Sequence, residues 1–241
     1  MQIIPISIEK EIDPSDDLAD IITSATNIMD NDILVITQKV VSKQEGRTIE
    51  LSTTSPSLLA RGIASQYGKD PRIIELILAE SKRIVRMHNG VIITETNSGL
   101  VCANAGVDES NVRENHAVLL PVNPDDSAQR IQESILQKTD KNTAVIISDT
   151  FGRPFRMGQV DCAIGVCGME PILDYNGTRD SFDRTLRVTA IAIADELASA
   201  AELVMGKTLK CPVVVIRGYS FNSGSYSSDM LVRTQEADLF R

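Results

Sequence analysis

Apolar positions along this chain fall into short unbroken runs separated by longer stretches of periodic or polar sequence. IIPI at 3–6 reads as a first strand, and ILVIT at 33–37, AVIIS at 144–148 and PVVVIR at 212–217 as buried ones. Runs this short, continuous and rich in β-branched residues predict strands covered on both faces. Between them the pattern predicts helices over 16–27, 56–67, 71–82 and 127–138. Asp13, Pro14, Ser15 and Asp16 give the first of these a polar start suited to capping. Pro56 and Pro71 stand in the first turns of the next two, where a missing N–H costs nothing. The longest helix is expected over 183–205, with alanines for close packing and Gly206 as its stop. Strands over 84–87 and 91–94 form a hairpin across His88, Asn89 and Gly90, and 100–104 and 117–120 are further strands.

The alternation points to a layered α/β (mixed α+β) arrangement. No repeat, low-complexity tract or long linker divides it; the turn-rich NGTRDSFD at 176–183 is the one candidate seam, and SFNSGSYSSD near the end reads as a serine- and glycine-rich tail. With 241 residues, a single domain over 1–241 can bury a sizeable core.

Charge narrows the classes of partner. The formal net charge of −9 leaves no basic patch to displace phosphate counterions, so nucleic acid is not expected as a partner. No apolar run reaches the ~20 residues needed to span a bilayer, and the N-terminus lacks a basic-then-apolar leader. Cys102, Cys162, Cys167 and Cys211 match no zinc spacing and read as buried free thiols. A cytoplasmic protein without membrane contact is the expectation.

Three stretches carry candidate chemistry. SDTFGRPFR at 148–156 follows the AVIIS strand as a loop, offering Asp149 and Thr150 to a hard cation and Arg153 and Arg156 to phosphate or carboxylate. NAGVDESN at 104–111 adds Asp108 as a second carboxylate and Asn111 as a contact for a base or ribose edge. In TQKVVSKQEGR at 37–47, Lys39, Lys43 and Arg47 recur every four residues, so a helical turn aligns them on one face toward triphosphate or toward solvent. AELVMGKT at 201–208 looks like a P-loop without its first glycine, but here a helix precedes it and a strand follows, the reverse of the phosphate-binding order. Asp195 and Glu202, seven apart in that helix, read first as structural carboxylates and second as cation ligands. His88 and His116 read as structural, and no Ser-His-Asp or Cys-His nucleophile arrangement is present.

Taken together, SDDL (15–18), LVITQKVVSKQEGR (34–47), NAGVDESN (104–111), SDTFGRPFR (148–156), AIGVCGM (163–169), ADELASAAELVMGK (194–207) and PVVVIRG (212–218) resemble the coenzyme F420-0:L-glutamate ligases from end to end. The resemblance implies a family-specific mixed α/β ligase fold assembled as an intertwined, butterfly-like homodimer. It implies GTP-dependent addition of L-glutamate to coenzyme F420-0 with Mg²⁺ or Mn²⁺, two divalent ions, and room for K⁺ beside them. Residue by residue it implies Asp108 and Asp149 at one metal and Thr150 at a second. It implies nucleotide contacts at Glu9, Lys10, Glu11, Ile12, Gln38, Lys39, Lys43 and Asn111, and a phosphate-facing turn at Met205, Gly206, Lys207, Thr208 and Leu209. The chain departs from some relatives at Lys207, where they carry a glutamate at the second metal. Arg153 and Arg156 are assigned to the substrate carboxylate or acyl phosphate on chemical grounds, not by the resemblance. Two other classes fit the residues alone: a phosphotransferase or amide ligase for another acidic small molecule, and a non-catalytic nucleotide or deazaflavin binder.

Overall fold

In a computed structural model, residues 1–234 and 236–238 are described. The buried runs assemble one six-stranded sheet. Its strands are β1 (Gln2–Ile6), β2 (Ile33–Thr37), β8 (Ala144–Arg153), β9 (Arg156–Met169), β12 (Val213–Arg217) and β13 (Ser223–Gly224), in the order β1-β12-β2-β8-β9-β13. Only β2 and β8 are parallel; the other neighbours run antiparallel. Alternate residues of β2 explain the continuous apolar run. Leu34 and Ile36 face one core with α1 (Leu18–Ala25) and α5 (Pro124–Thr139), while Ile33 and Val35 face another with α6 (Ile193–Met205). The sheet is therefore sandwiched between helices, and its central strands are dry on both sides.

Residues 48–119 build a third apolar cluster beside this sandwich. α2 (Gln38–Gln44) leads into β3 (Thr48–Glu50), α3 (Leu58–Tyr67) and α4 (Pro71–Ala79). A three-stranded sheet follows, β4 (Ser81–His88), β5 (Val91–Thr96) and β6 (Val101–Ala103), while β7 (His116–Val118) pairs with β3. Ile63, Ile74, Ile77, Ile92 and Leu119 are its buried centre. Short polar side chains set the helix starts: Asp17 accepts from the Ala19 N–H at 2.8 Å, Ser57 caps α3, Asp70 caps α4 ahead of Pro71, and Asn123 caps α5 ahead of Pro124. Pro56 thus lies before its helix, not in its first turn. Positive φ at Asn89 and Gly90 makes the tight β4–β5 turn.

Three segments differ from the sequence-based expectation. The long helix begins at Ile193, not at residue 183. Residues 174–191 instead run out and back, with β10 (Leu173–Asp174) antiparallel to β11 (Ala190–Ile191) and Arg179 bridging Thr185. Asp180 caps the turn by accepting from the Phe182 and Arg184 N–H groups, and Thr185, Val188, Thr189 and Ile191 favour extended backbone. The 148–156 stretch is not a loop: β8 continues to Arg153 and turns at Phe155 into β9, a strand the apolar pattern did not predict. The serine-rich tail likewise contributes β13 as an edge strand. Among the described residues, no helix is long and apolar enough to cross a membrane.

The start of α5 is seated directly on β9. Asp125 accepts from the Val166 N–H at 2.7 Å and from the Ser228 N–H at 2.9 Å. A β-carbon on Gly165 would lie 2.5 Å from the Pro124 carbonyl. Gly165→Ala is therefore expected to destabilise the fold by about 1–3 kcal/mol through overpacking, read as a lower urea midpoint with an unchanged slope.

Candidate active site

The sheet topology gathers the sequence-selected segments at one edge. β1 ends at Ile6 opposite Val213, and the Thr37 N–H donates to the Pro212 carbonyl at 2.9 Å as β2 ends and β12 begins. Thr37 also pairs with Ser148 in the parallel ladder. The loop after β1 (9–12), the helix after β2 (α2), residues 149–150 of β8 and the turn before β12 (205–209) therefore leave the sheet side by side. Ligand sites form at such edges, where strand ends splay and backbone groups are free of the ladder.

Asp108 is carried in from the third cluster. Its backbone exchanges two hydrogen bonds with Val118, and its carboxylate accepts from the Ser110 N–H and hydroxyl at 2.7 and 2.9 Å. The Lys39 ammonium lies 2.7 Å from the same carboxylate and 2.5 Å from Ser110 Oγ. Burial works to raise the Asp108 carboxyl, yet Lys39 and Ser110 outweigh it and hold the group below the usual carboxylate range. Lys43, one helical turn on, pairs with Glu11 and donates to the Asn111 carbonyl at 2.9 Å. Gln38 is buried and accepts from the Ser42 hydroxyl at 2.9 Å. Arg47 turns away from this row, to Glu80 at 2.6 Å and the Leu120 carbonyl.

Asp149 sits in the crevice between these groups and β9. Burial, opposed by the Thr150 N–H, then reinforced by the charges of Asp161 and Asp108 against Lys39, pushes its carboxyl up to about 7. Asp161 is a further candidate that the sequence pattern does not single out. It lies in β9 opposite Thr150, its side chain 3% exposed, and accepts from the Thr150 hydroxyl at 2.6 Å and the Ser148 hydroxyl at 3.1 Å. The signal available was a lone carboxylate between Val160 and Cys162 in an apolar run. Lys207 reaches in from the turn after α6, 2.7 Å from Thr150 Oγ1, 3.4 Å from Asp161 and 3.4 Å from Glu202. Asp195, by contrast, accepts the Ala163 N–H at 2.8 Å and serves the backbone.

The remaining candidates spread outward. Glu9 pairs with Lys210 at 2.7 Å, Lys10 pairs with Asp16, and Ile12 is buried in the core. Met205 is buried, Thr208 is exposed, and Leu209 is exposed beside Gly206. Arg153 and Arg156 flank the β8–β9 tip, four or more residues beyond Asp149, which is about 13 Å along an extended strand. Arg153 donates to the Met157 carbonyl at 2.6 Å. His116 Nδ1 is 2.9 Å from the Glu114 carbonyl, a structural contact. Of the four free cysteines only Cys102 is fully buried; Cys102 and Cys162 beside Asp149 are both pushed up to about 12, burial first, so neither supplies a thiolate.

The donor set suits one hard divalent cation. Asp149 is a carboxylate raised first by burial and then by two like charges, with no ammonium in hydrogen-bonding contact, so a cation there would compensate both. Among the described residues, no three His, Cys, Asp or Glu side chains form a complete metal-holding group. An ion at Asp108 and Asp149 would complete its shell with hydroxyls, water or ligand phosphates.

The raised carboxyl sets a pH dependence. With about 7 in the fold and 3.8 in the unfolded chain, native Asp149 keeps a proton that the unfolded chain has lost. Its stabilising contribution is full below about 4 and is lost as pH rises through about 7. In chelator, the Tm advantage of Asp149→Asn over the unsubstituted protein is therefore expected to grow from pH 4 to pH 7.5. A pH-independent difference would disprove the raised carboxyl.

Comparison with known proteins gives the family. The family model described as F420-0:Gamma-glutamyl ligase matches residues 7–218. A coenzyme F420:L-glutamate ligase of Methanothermobacter thermautotrophicus is 48% identical over 236 residues, covering 94% of this chain and 93% of the relative. Relatives of the same name from Methanopyrus kandleri and Archaeoglobus fulgidus are 42% and 38% identical, each over 100% of this chain, covering 98% and 96% of their own lengths. With matches of this extent over the segments that build the crevice, the chain belongs to the F420-0:gamma-glutamyl ligase family.

Proposed function

We propose that this protein is a ligase that joins L-glutamate to coenzyme F420-0 through γ-glutamyl amide bonds, using GTP and Mg²⁺ or Mn²⁺, with Asp108 and Asp149 holding the first ion. The observation that carries the reading is the meeting of two carboxylates and two lysines at one sheet edge, without any nucleophile constellation. Amide formation from a carboxylate needs a better leaving group than oxide. An oxygen of the precursor's terminal carboxylate attacks the γ-phosphorus, the bond to the β-phosphate oxygen breaks, and GDP leaves. The amine of glutamate then attacks the acyl carbon, loses a proton, and expels inorganic phosphate.

Such transfers require alignment and charge neutralisation more than covalent participation by the protein. Lys39 and Lys43 face the triphosphate once their present partners, Asp108 and Glu11, turn to the incoming ligands. A bound divalent ion would neutralise and align phosphate oxygens. Gln38, Asn111, residues 9–12 and the 205–209 turn frame the nucleotide. Arg153 and Arg156, at the tip of the β8–β9 arm, take the carboxylates of the precursor as it lies along the arm.

Mass spectrometry of F420-0 incubated with GTP, Mn²⁺ and glutamate is expected to show a mass gain in whole glutamate units, with GDP and phosphate release depending on both acceptor and amino acid. Asp108→Asn and Asp149→Asn should lower kcat about 100-fold or more, as when a positioned transition-state charge is removed. Lys43→Ala should raise the KM for GTP roughly tenfold. GDP release without mass gain would indicate a different acceptor, and no GDP release would indicate a binder.

We also propose that the working unit is a homodimer in the cytoplasm. Phe155 and Met157 on the arm and Phe182 and Val188 on the 174–191 excursion are large, strongly exposed apolar side chains that a second copy would cover. Light scattering at micromolar concentration is expected to give twice the 26.3 kDa chain mass; a monomer mass refutes the dimer.

A further inference from the structure

Two groups of oxygen donors meet at this sheet edge, and they are not alike. At the first, Lys39 bridges Asp108 to Ser110 and leaves Asp149 without an ammonium contact, so a carboxylate there still lacks its counter-charge. At the second, Thr150 Oγ1, Asp161 and Glu202 supply one hydroxyl and two carboxylates, a hard-oxygen set of the kind that takes Mg²⁺ or Mn²⁺. Lys207 already stands among all three.

The hydrogens are consistently directed. The Thr150 hydroxyl donates to Asp161 Oδ1 at 2.6 Å, which leaves its lone pairs to accept from the Lys207 ammonium at 2.7 Å. Asp161 is nearly inaccessible, and its other oxygen is taken by the Ser148 hydroxyl at 3.1 Å. A buried carboxylate with two hydroxyl donors and an ammonium needs no further cation. The approach of Lys207 is fixed by Gly206, at φ 55 and ψ −176, which ends α6 in a conformation that disfavours a side chain. A β-carbon there would also press on Leu209 Cδ1 at 3.1 Å.

We infer that the Lys207 ammonium replaces a second divalent ion, so that each active site of this chain works with one exchangeable metal. The inference rests on the function proposed above and adds to it how the second cation position is filled. A tethered ammonium offers single charge and three hydrogens in place of an open coordination shell. It remains at the site when metal is scarce.

The test counts metal directly. Protein saturated with the non-hydrolysable analogue guanosine 5′-(β,γ-imido)triphosphate is titrated with Mn²⁺, and bound ions are counted by electron paramagnetic resonance. The unsubstituted protein is expected to hold one Mn²⁺ per chain and Lys207→Glu two. Should Lys207→Glu fail to fold, Lys207→Gln, which removes the ammonium alone, is expected to admit the second ion at millimolar Mn²⁺. Two ions in the unsubstituted protein, or one in both it and the variant, overturn the inference. No bound Mn²⁺ in any of them removes the Asp108–Asp149 site as well, and with it the proposed function.

Discussion

The parallel pairing of β2 with β8 is the constraint on which the remaining architecture depends. Both strands are buried on both faces, so every residue from Ile33 to Ile36 and from Ala144 to Ile147 is inaccessible to solvent. A slip of one residue would exchange the side chains that face α1 and α5 for those that face α6. The same register sets Thr37 beside Ser148, and so places the start of α2 next to Asp149. Because β12 and β1 extend the sheet from β2, the loops on either side inherit this alignment.

Charge compensation at the edge follows a consistent scheme. Each of these lysines is paired with a carboxylate from a distant part of the chain, Lys39 with Asp108, Lys43 with Glu11 and Lys207 with Asp161, and Lys207 also with Glu202 of the helix just before it. Asp149 stands apart, with no lysine of its own and a carboxyl pushed up to about 7. The result is a region whose polar groups largely satisfy one another, with Asp149 as the exception. The carriers of these groups are ordered strands and helix starts, which fix their spacing.

How much of this was legible in the sequence depended on the range of the interactions. The strands at 33–37 and 144–148 are continuous β-branched runs and were readable because burial on both faces leaves an unbroken apolar signature. Helix α4 was readable because Asp70 and Pro71 mark its start locally. Helix α6 was overextended because Ala190, Ile191 and Ala192 prolong its apolar pattern, while the pairing of β11 with β10 is a tertiary contact with no local mark. Strand β9 went unrecognised because glycines and polar residues interrupt it; its stability comes from the long ladder to β8 and from α5 and α6 packed on its faces. Asp161 was hidden for the same reason. A carboxylate on an unrecognised strand has no visible partner, and Thr150 becomes one only once the register is known.

Strand β12 joins β1 to β2 at the heart of the sheet, yet it is made from residues near the end of the chain. During synthesis, β1 therefore waits through some two hundred residues for the neighbour that gives it a ladder. Until Val213–Arg217 emerges, β2 presents an open, wholly apolar edge, a surface prone to pairing with another chain. Closure of so long a loop is slow relative to local helix formation. The order of events on the ribosome thus places completion of this sheet edge late, after α1 and α5 have had time to form.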